Sequence, residues 1–273
     1  MQIIYLGTPD MAVPPLRALV DAGHDIVRVI TRVDKKRGRG GSLSPSPVKA
    51  AAVDLGLTVS HDPDDMLSVD AELAVVVAYG RIIKPHLLDA LPMVNLHYSL
   101  LPRWRGAAPV ERAILAGDAE TGVDVMRLEE GLDTGGIYAE QRVSIGNGTT
   151  ADELRAELND VGCRLLVDTL SRPLAEWIDE PRPQTGEPLY ASKLDKAEFE
   201  IDWDQSPVDV HRRIRIGGAW TTFRGKRLKI HTADLVDETI VPTTVQPEGK
   251  GPMDFASWRN GAQPARDELF GDL

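Results

Sequence analysis

The run Leu73-Ala74-Val75-Val76-Val77-Ala78, opened by Glu72, has no polar face. A strand wetted on one side would alternate apolar and polar residues. An unbroken run therefore predicts a central strand of a parallel sheet, with helices covering both faces. The start of the chain agrees. Gln2-Ile3-Ile4-Tyr5-Leu6 reads as a strand stopped by Gly7-Thr8-Pro9-Asp10. A helix follows with Val13, Leu16, Leu19 and Val20 at helical spacing, capped by Asp10 or Thr8 and ended at Gly23-His24, and a second strand runs over 25–30. This β-α-β opening specifies an α/β fold with a Rossmann-like open, mostly parallel sheet. The first turn lacks GxGxxG, and no acid stands where a ribose partner belongs, so a dinucleotide site is excluded.

Downstream, helices are expected over 50–55, 85–91 and 109–115, with a short strand over 57–59 and alternating strands over 123–128 and 137–143. Thr150 caps a helix whose stripe is Leu154, Leu158, Val161, Leu165 and Leu166. Residues 181–188 are proline-rich and read as a loop, and 190–203 as an extended tether. In an open sheet ligands collect at the carboxyl ends of the strands, which brings Tyr79-Gly80 and Asn95-Leu96-His97 to one crevice.

Asn95 and His97 are two apart, so at a strand end their side chains leave one face. An Asn amide donates to a carbonyl oxygen, a His donates to it as it becomes an oxyanion, and a nearby carboxylate orients the His or collects a proton. Gly131-Leu132-Asp133-Thr134-Gly135 offers that carboxylate in a turn. Singly, each residue is more often a turn former or cap than a catalyst. Together, beside the loop Arg103-Trp104-Arg105-Gly106, they indicate acyl transfer to an amine. Glu129 and Glu130 are read as surface acids.

The stretch Asn95 to Pro109, NLHYSLLPRWRGAAP, followed by GLDTG, resembles the signature of the folate-dependent formyltransferases. The resemblance implies that Asn95, His97 and Asp133 are the catalytic set. It also implies that Ser99, Leu100, Leu101 and Pro102, with backbone near Tyr79, Gly80 and Ile82, contact 10-formyltetrahydrofolate, a consumed co-substrate. Tyr98 departs from the smaller residue common among relatives, and its side chain should point away from the pair. No HxH or HxxxH spacing suggests a metal.

The net charge of −11 argues against a surface that binds nucleic acid everywhere, so any RNA contact must be local. Two basic concentrations stand out. Residues 31–49 hold Arg32, Lys35, Lys36, Arg37, Arg39 and Lys49 in a glycine- and proline-rich loop. Charge alone reads this as a solvated surface loop. The resemblance reads it as an insertion that enters a tRNA acceptor arm, with Gly38-Arg39-Gly40 at its core and Pro45 to Lys49 as its exit. The second concentration includes Arg212, Arg213 and Arg227, with Arg215, Arg224, Lys226 and Lys229 close by. There the resemblance implies a small, tRNA-binding β-barrel. A helix around Val208, Val210 and Ile214 and strands over 220–223 and 228–231 are expected, but after Val236 too few strand-like segments remain. The region therefore reads as an abbreviated barrel with little core, which must lean on the first domain or be partly disordered.

The expected organisation is a catalytic domain over 1–188, a linker over 189–206 and the abbreviated domain over 207–273. The expected reaction moves the formyl group of 10-formyltetrahydrofolate to the α-amino group of methionine on initiator tRNA. Formyl transfer to a nucleotide-linked amino sugar, and a non-catalytic RNA- or folate-binding role, are the alternatives. The single Cys163 can form no internal disulfide and is expected to pack in the core. Met1 leads straight into a strand and no run approaches a membrane span, so a cytoplasmic protein without an obligatory protein partner is expected.

Overall fold

The computed structural model describes residues 1–37, 42–265 and 270. Its opening unit is β1 (Gln2–Gly7), α1 (Val13–Asp21) and β2 (Asp25–Ile30), with β1 and β2 parallel as expected. Next come β3 (Lys35–Arg37) and β4 (Ser42–Ser44), α2 (Pro47–Asp54), β5 (Val59–Ser60), β6 (Leu73–Val77), α3 (Pro85–Ala90) and β7 (Met93–His97). After β8 (Arg103–Gly106) the chain forms α4 (Pro109–Ala116), β9 (Glu120–Arg127), β10 (Ile137–Ser144), α5 (Ala151–Leu170) and β11 (Leu189–Ala191). These and the later elements divide between two compact units: Met1–Gly106, Thr121–Val143 and Arg155–Tyr190 in one, and Ala107–Glu120, Ser144–Leu154 and Ala191–Leu273 in the other.

The first unit is organised by a seven-stranded sheet in the order β10-β9-β7-β6-β1-β2-β5. All five residues of β6 are buried, and it runs parallel to β1 on one side and β7 on the other. Gly7 aligns with Val77 and Val76 with Asn95, so the carboxyl ends of β1, β6 and β7 emerge at one edge. One face of the sheet packs Ile4, Leu6, Ile30, Ala74 and Val76 against Met66, Tyr79, Ile83 and Leu87. Each such aliphatic side chain contributes about 1.5–3 kcal/mol on burial, which makes the apolar runs of β1 and β6 the main determinant of the sheet. Strand β9 then pairs antiparallel with β7, with His97 opposite Asp124 and Asn95 opposite Met126.

Two local expectations are corrected. Neither Thr8 nor Asp10 caps α1. A short 3₁₀ turn over Asp10–Ala12 precedes it, and Pro14 and Pro15 occupy its first turn, where they carry no N–H to cap. The Thr8 hydroxyl donates instead to the Tyr79 carbonyl at 3.0 Å. Within the basic segment 31–49, Lys35–Arg37 and Ser42–Ser44 pair antiparallel rather than remaining loop. Arg39, with its flanking glycines, lies outside the described residues.

The second unit contains α6 (Pro207–Arg215), β12 (Trp220–Phe223), β13 (Lys226–Val236), β14 (Thr239–Pro247), β15 (Met253–Asp254) and α7 (Phe255–Ala262), and its sheet follows the order β12-β13-β14-β15. This small, four-stranded sheet agrees with the shortened domain expected, but β14 and β15 follow Val236, where strands were not expected, and the unit has a core. Ile201, Val210, Ile214, Ala219, Phe223, Leu228, Ile230, Val245 and Trp258 form its own apolar core. Strand β14 escapes a sequence reading because it carries Pro242 and Pro247, which remove ladder donors. The register of β13 shifts between Ile230 and Thr232 and again before Ala233, opposite Pro242, so the pairing is irregular where the proline sits. Among the described residues no helix is long and apolar enough to cross a membrane.

Candidate active site

Strand β7 ends in the candidate pair. Asn95 is 9% and His97 6% exposed, so both stand at the edge of the sheet with little access to water. The ring of His97 is fixed by its Nε2, 2.7 Å from the Trp104 carbonyl oxygen. A carbonyl only accepts, so this nitrogen carries a hydrogen, and Nδ1 is the one left for other chemistry. Nδ1 lies 3.8 Å from the Asp133 carboxylate. That gap exceeds a hydrogen bond, so the Trp104 carbonyl sets the ring's orientation, and Asp133 acts on it through charge. Among the described residues the Asn95 amide has no side-chain hydrogen-bond partner.

Trp104 is in turn held by Ser99, which is fully buried. The Ser99 hydroxyl donates to the Trp104 carbonyl at 2.8 Å and accepts its N–H at 2.9 Å. One serine therefore ties the loop back to the strand end and keeps the acceptor of His97 in place. Asp133 is placed by its own turn. Its backbone has φ +50°, a left-handed conformation that Asp tolerates better than most residues, and its Oδ2 accepts the Gly106 N–H at 2.7 Å. Gly135 is dictated by crowding: a Cβ there would stand 2.0 Å from the Arg127 carbonyl oxygen.

Three contributors went unseen in the sequence. The first is the Trp104 carbonyl, a backbone atom with no residue signature. The second is Gln184, whose Nε2 donates to the Asp133 and Gly135 carbonyls, each at 2.8 Å. The third is Asp124, fully buried opposite His97 on β9. Its Oδ2 accepts the Leu101 N–H at 2.8 Å, and its Oδ1 has no partner. Removal from water pushes its carboxyl up to about 7, with the Leu101 N–H and the more distant Arg182 and Arg142 opposing and Glu140 adding to the rise. An acid inside the apolar run Val123 to Met126 was its only signal.

The residues expected to meet folate divide. Ser99 and Leu101 are buried, Leu101 against Met126 and Ile137, and the Leu100 side chain is packed so closely on Gly122 that a Cβ there would clash. Tyr79 is buried, the Gly80 carbonyl accepts from Arg32, and the Ile82 side chain is open to solvent. Tyr98 turns away from the pair as expected, donating to Asn159 Oδ1 of α5 at 2.8 Å. Glu129 and Glu130 are exposed. Cys163 is half-buried, and burial pushes its thiol up to about 11.

Of the basic candidates in the first unit, Lys35 is exposed and shares β3 with Lys36 and Arg37, while Lys49 pairs with Asp34 at 2.8 Å. In the second unit Arg212 pairs with Asp209 at 3.0 Å. Arg213 donates to the Glu198 and Glu200 carbonyls and to Gln205, and Arg227 stacks over the Trp220 ring at 4.0 Å. No group of three or more His, Cys, Asp or Glu among the described residues is arranged to hold a metal.

The Formyl transferase family matches residues 1–170, and the family Formyl transferase, C-terminal domain, matches residues 193–240. The chain belongs to the formyl transferase family. A methionyl-tRNA formyltransferase of Roseobacter denitrificans is 45% identical over 260 residues, covering 90% of this chain and 85% of that protein. One of Jannaschia sp. is 41% identical over 97% of this chain and 98% of its own length, so this formyl transferase spans nearly the whole of that relative. Among solved structures, the methionyl-tRNA formyltransferase from Clostridium thermocellum aligns with a TM-score of 0.62 at 17% identity, over 92% of this chain and all of that one. An N-formyltransferase from Helicobacter canadensis in complex with folinic acid and dTDP-3-aminofucose aligns at 0.68 and 18%, over 87% and 88%. At such identities these structures share the fold.

Proposed function

We propose that the enzyme transfers the formyl group of 10-formyltetrahydrofolate to the α-amino group of methionine on initiator tRNA, as a cytoplasmic step of translation initiation. The observation that carries the chemistry is the His97 ring, with Nε2–H spent on the Trp104 carbonyl and Nδ1 facing Asp133 at 3.8 Å. The acceptor rests on relatives of 41–46% identity that bear the name methionyl-tRNA formyltransferase.

In this reading the neutral amine attacks the formyl carbon. The new carbon–nitrogen bond forms and the carbonyl electrons move onto oxygen. The Asn95 amide donates to that oxyanion, a contact worth about 3–4 kcal/mol of barrier. His97 Nδ1 takes a proton from the attacking nitrogen and returns it to the departing folate nitrogen as the old bond breaks. Asp133 stabilises the imidazolium between these steps. The nearly dry surroundings of Asn95 and His97 strengthen each of these interactions. Folate would be held along Tyr79, Gly80 and Ile82 and by the backbone of Ser99 to Pro102. The acceptor arm would be met by Lys35, Lys36, Arg37, Arg39 and Lys49 in the catalytic domain over 1–188. Beyond a linker over 189–206, the domain over 207–273 would present Arg212, Arg213 and Arg227 to the RNA backbone.

The test is formyl transfer measured in parallel on methionyl initiator tRNA, methionyl elongator tRNA and a nucleotide-linked amino sugar. Selective use of the initiator is expected. Use of the amino sugar alone would overturn the acceptor while leaving the chemistry in place.

A further inference from the structure

Residues 182–187 run along the surface, and within this stretch only Gln184 is not exposed. The loop is anchored by paired backbone hydrogen bonds between Arg182 and Ile137 at 2.8 and 2.9 Å. From there the Gln184 side chain meets two other segments at once. Its Nε2 donates both hydrogens, to the carbonyls of Asp133 and Gly135. Its Oε1 accepts from Arg105, at 3.1 Å from Nε and 2.6 Å from Nη2. A primary amide offers two donors and two lone pairs, and here all four are spent.

The two segments it grips supply the two ends of one further bond. Arg105 precedes Gly106, whose N–H is received by Asp133 Oδ2, and Asp133 is the residue whose carbonyl Gln184 holds. The amide thus fixes the Gly106 donor against the Asp133 acceptor, and with it the distance from Asp133 to His97 Nδ1.

We propose that Gln184 is a positioning residue for formyl transfer, acting through Asp133 by locking the Asp133 turn to the Arg105-Gly106 segment. The inference rests on the reading of Asp133 as part of the catalytic set. Misplacing a catalytic group by about 1 Å costs on the order of a hundredfold in rate, which sets the upper end of the loss expected when the lock is removed. Gln184→Glu is the sharper perturbation. It keeps length and its hold on Arg105, but turns a carboxylate oxygen against two carbonyl oxygens.

The experiment is single-turnover formyl transfer by the full chain, with enzyme in excess, for Gln184→Ala and Gln184→Glu in the native and the Asp133→Asn backgrounds. Circular dichroism establishes that each variant folds. Gln184→Asn, which retains the amide but withdraws it, replaces either variant if that one does not fold. In the native background the rate should fall by about tenfold to a hundredfold, with KM for both substrates changed by less than about threefold. In the Asp133→Asn background the same substitutions should change the rate by less than about twofold. An equal loss in both backgrounds, or none in the native one, overturns the proposal. An Asp133→Asn enzyme as fast as the native one would instead overturn the catalytic reading of Asp133.

Discussion

Replacing Asp124 with Asn should remove a pH-dependent weakness from the centre of the first unit. The carboxyl has no exposure, one hydrogen bond from Leu101 and one orphaned oxygen. Its ordinary value of 3.8 is raised to about 7. Between those values the folded protein retains a proton that the unfolded chain has released, so stability falls as pH rises through this window and levels off above about pH 7. Each pH unit costs about 1.4 kcal/mol, so raising the pH from 5 to 8 should cost the native chain about 3 kcal/mol from this group alone. Asn cannot ionise and keeps an acceptor for the Leu101 N–H. Hydrogen exchange of the β7 and β9 amides, compared between the two proteins at pH 5 and pH 8, reads the opening free energy of this region without the second unit. Other titrating groups are common to both proteins and cancel. Asp124→Asn should gain on the native chain by about 2–4 kcal/mol between the two pH values. Parallel profiles would refute the claim that burial raises the Asp124 carboxyl to about 7.

Two further substitutions separate packing from chemistry. Tyr98→Phe removes the hydrogen bond to Asn159 and should cost about 1 kcal/mol in urea denaturation while leaving formyl transfer unchanged. Gly135→Ala sets a methyl group against the Arg127 carbonyl and should force the Asp133 turn to move, lowering turnover by about tenfold or more with a melting temperature reduced by several degrees.

The parallel sheet was legible because burial on both faces leaves one mark, the unbroken apolar run of β6. The pair Asn95 and His97 was legible because residue type and spacing carry their chemistry. What holds them was not. His97 is oriented by a backbone carbonyl, Ser99 was visible only as part of a motif, and Gln184 sits in a loop that reads as proline-rich connection. These are tertiary facts, set by which segments meet. Strand β14 was missed for a different reason. Its prolines argue locally against pairing, while Val245 and the neighbouring core of the second unit outweigh them.

The most direct test of the account is single-turnover formyl transfer by His97→Ala, with binding of 10-formyltetrahydrofolate measured on the same protein. Losing the group that moves the proton should slow transfer by about a hundredfold to ten-thousandfold, with folate affinity within about threefold of the native enzyme. A transfer rate within a few fold of native would contradict the assignment of His97, and with it the mechanism.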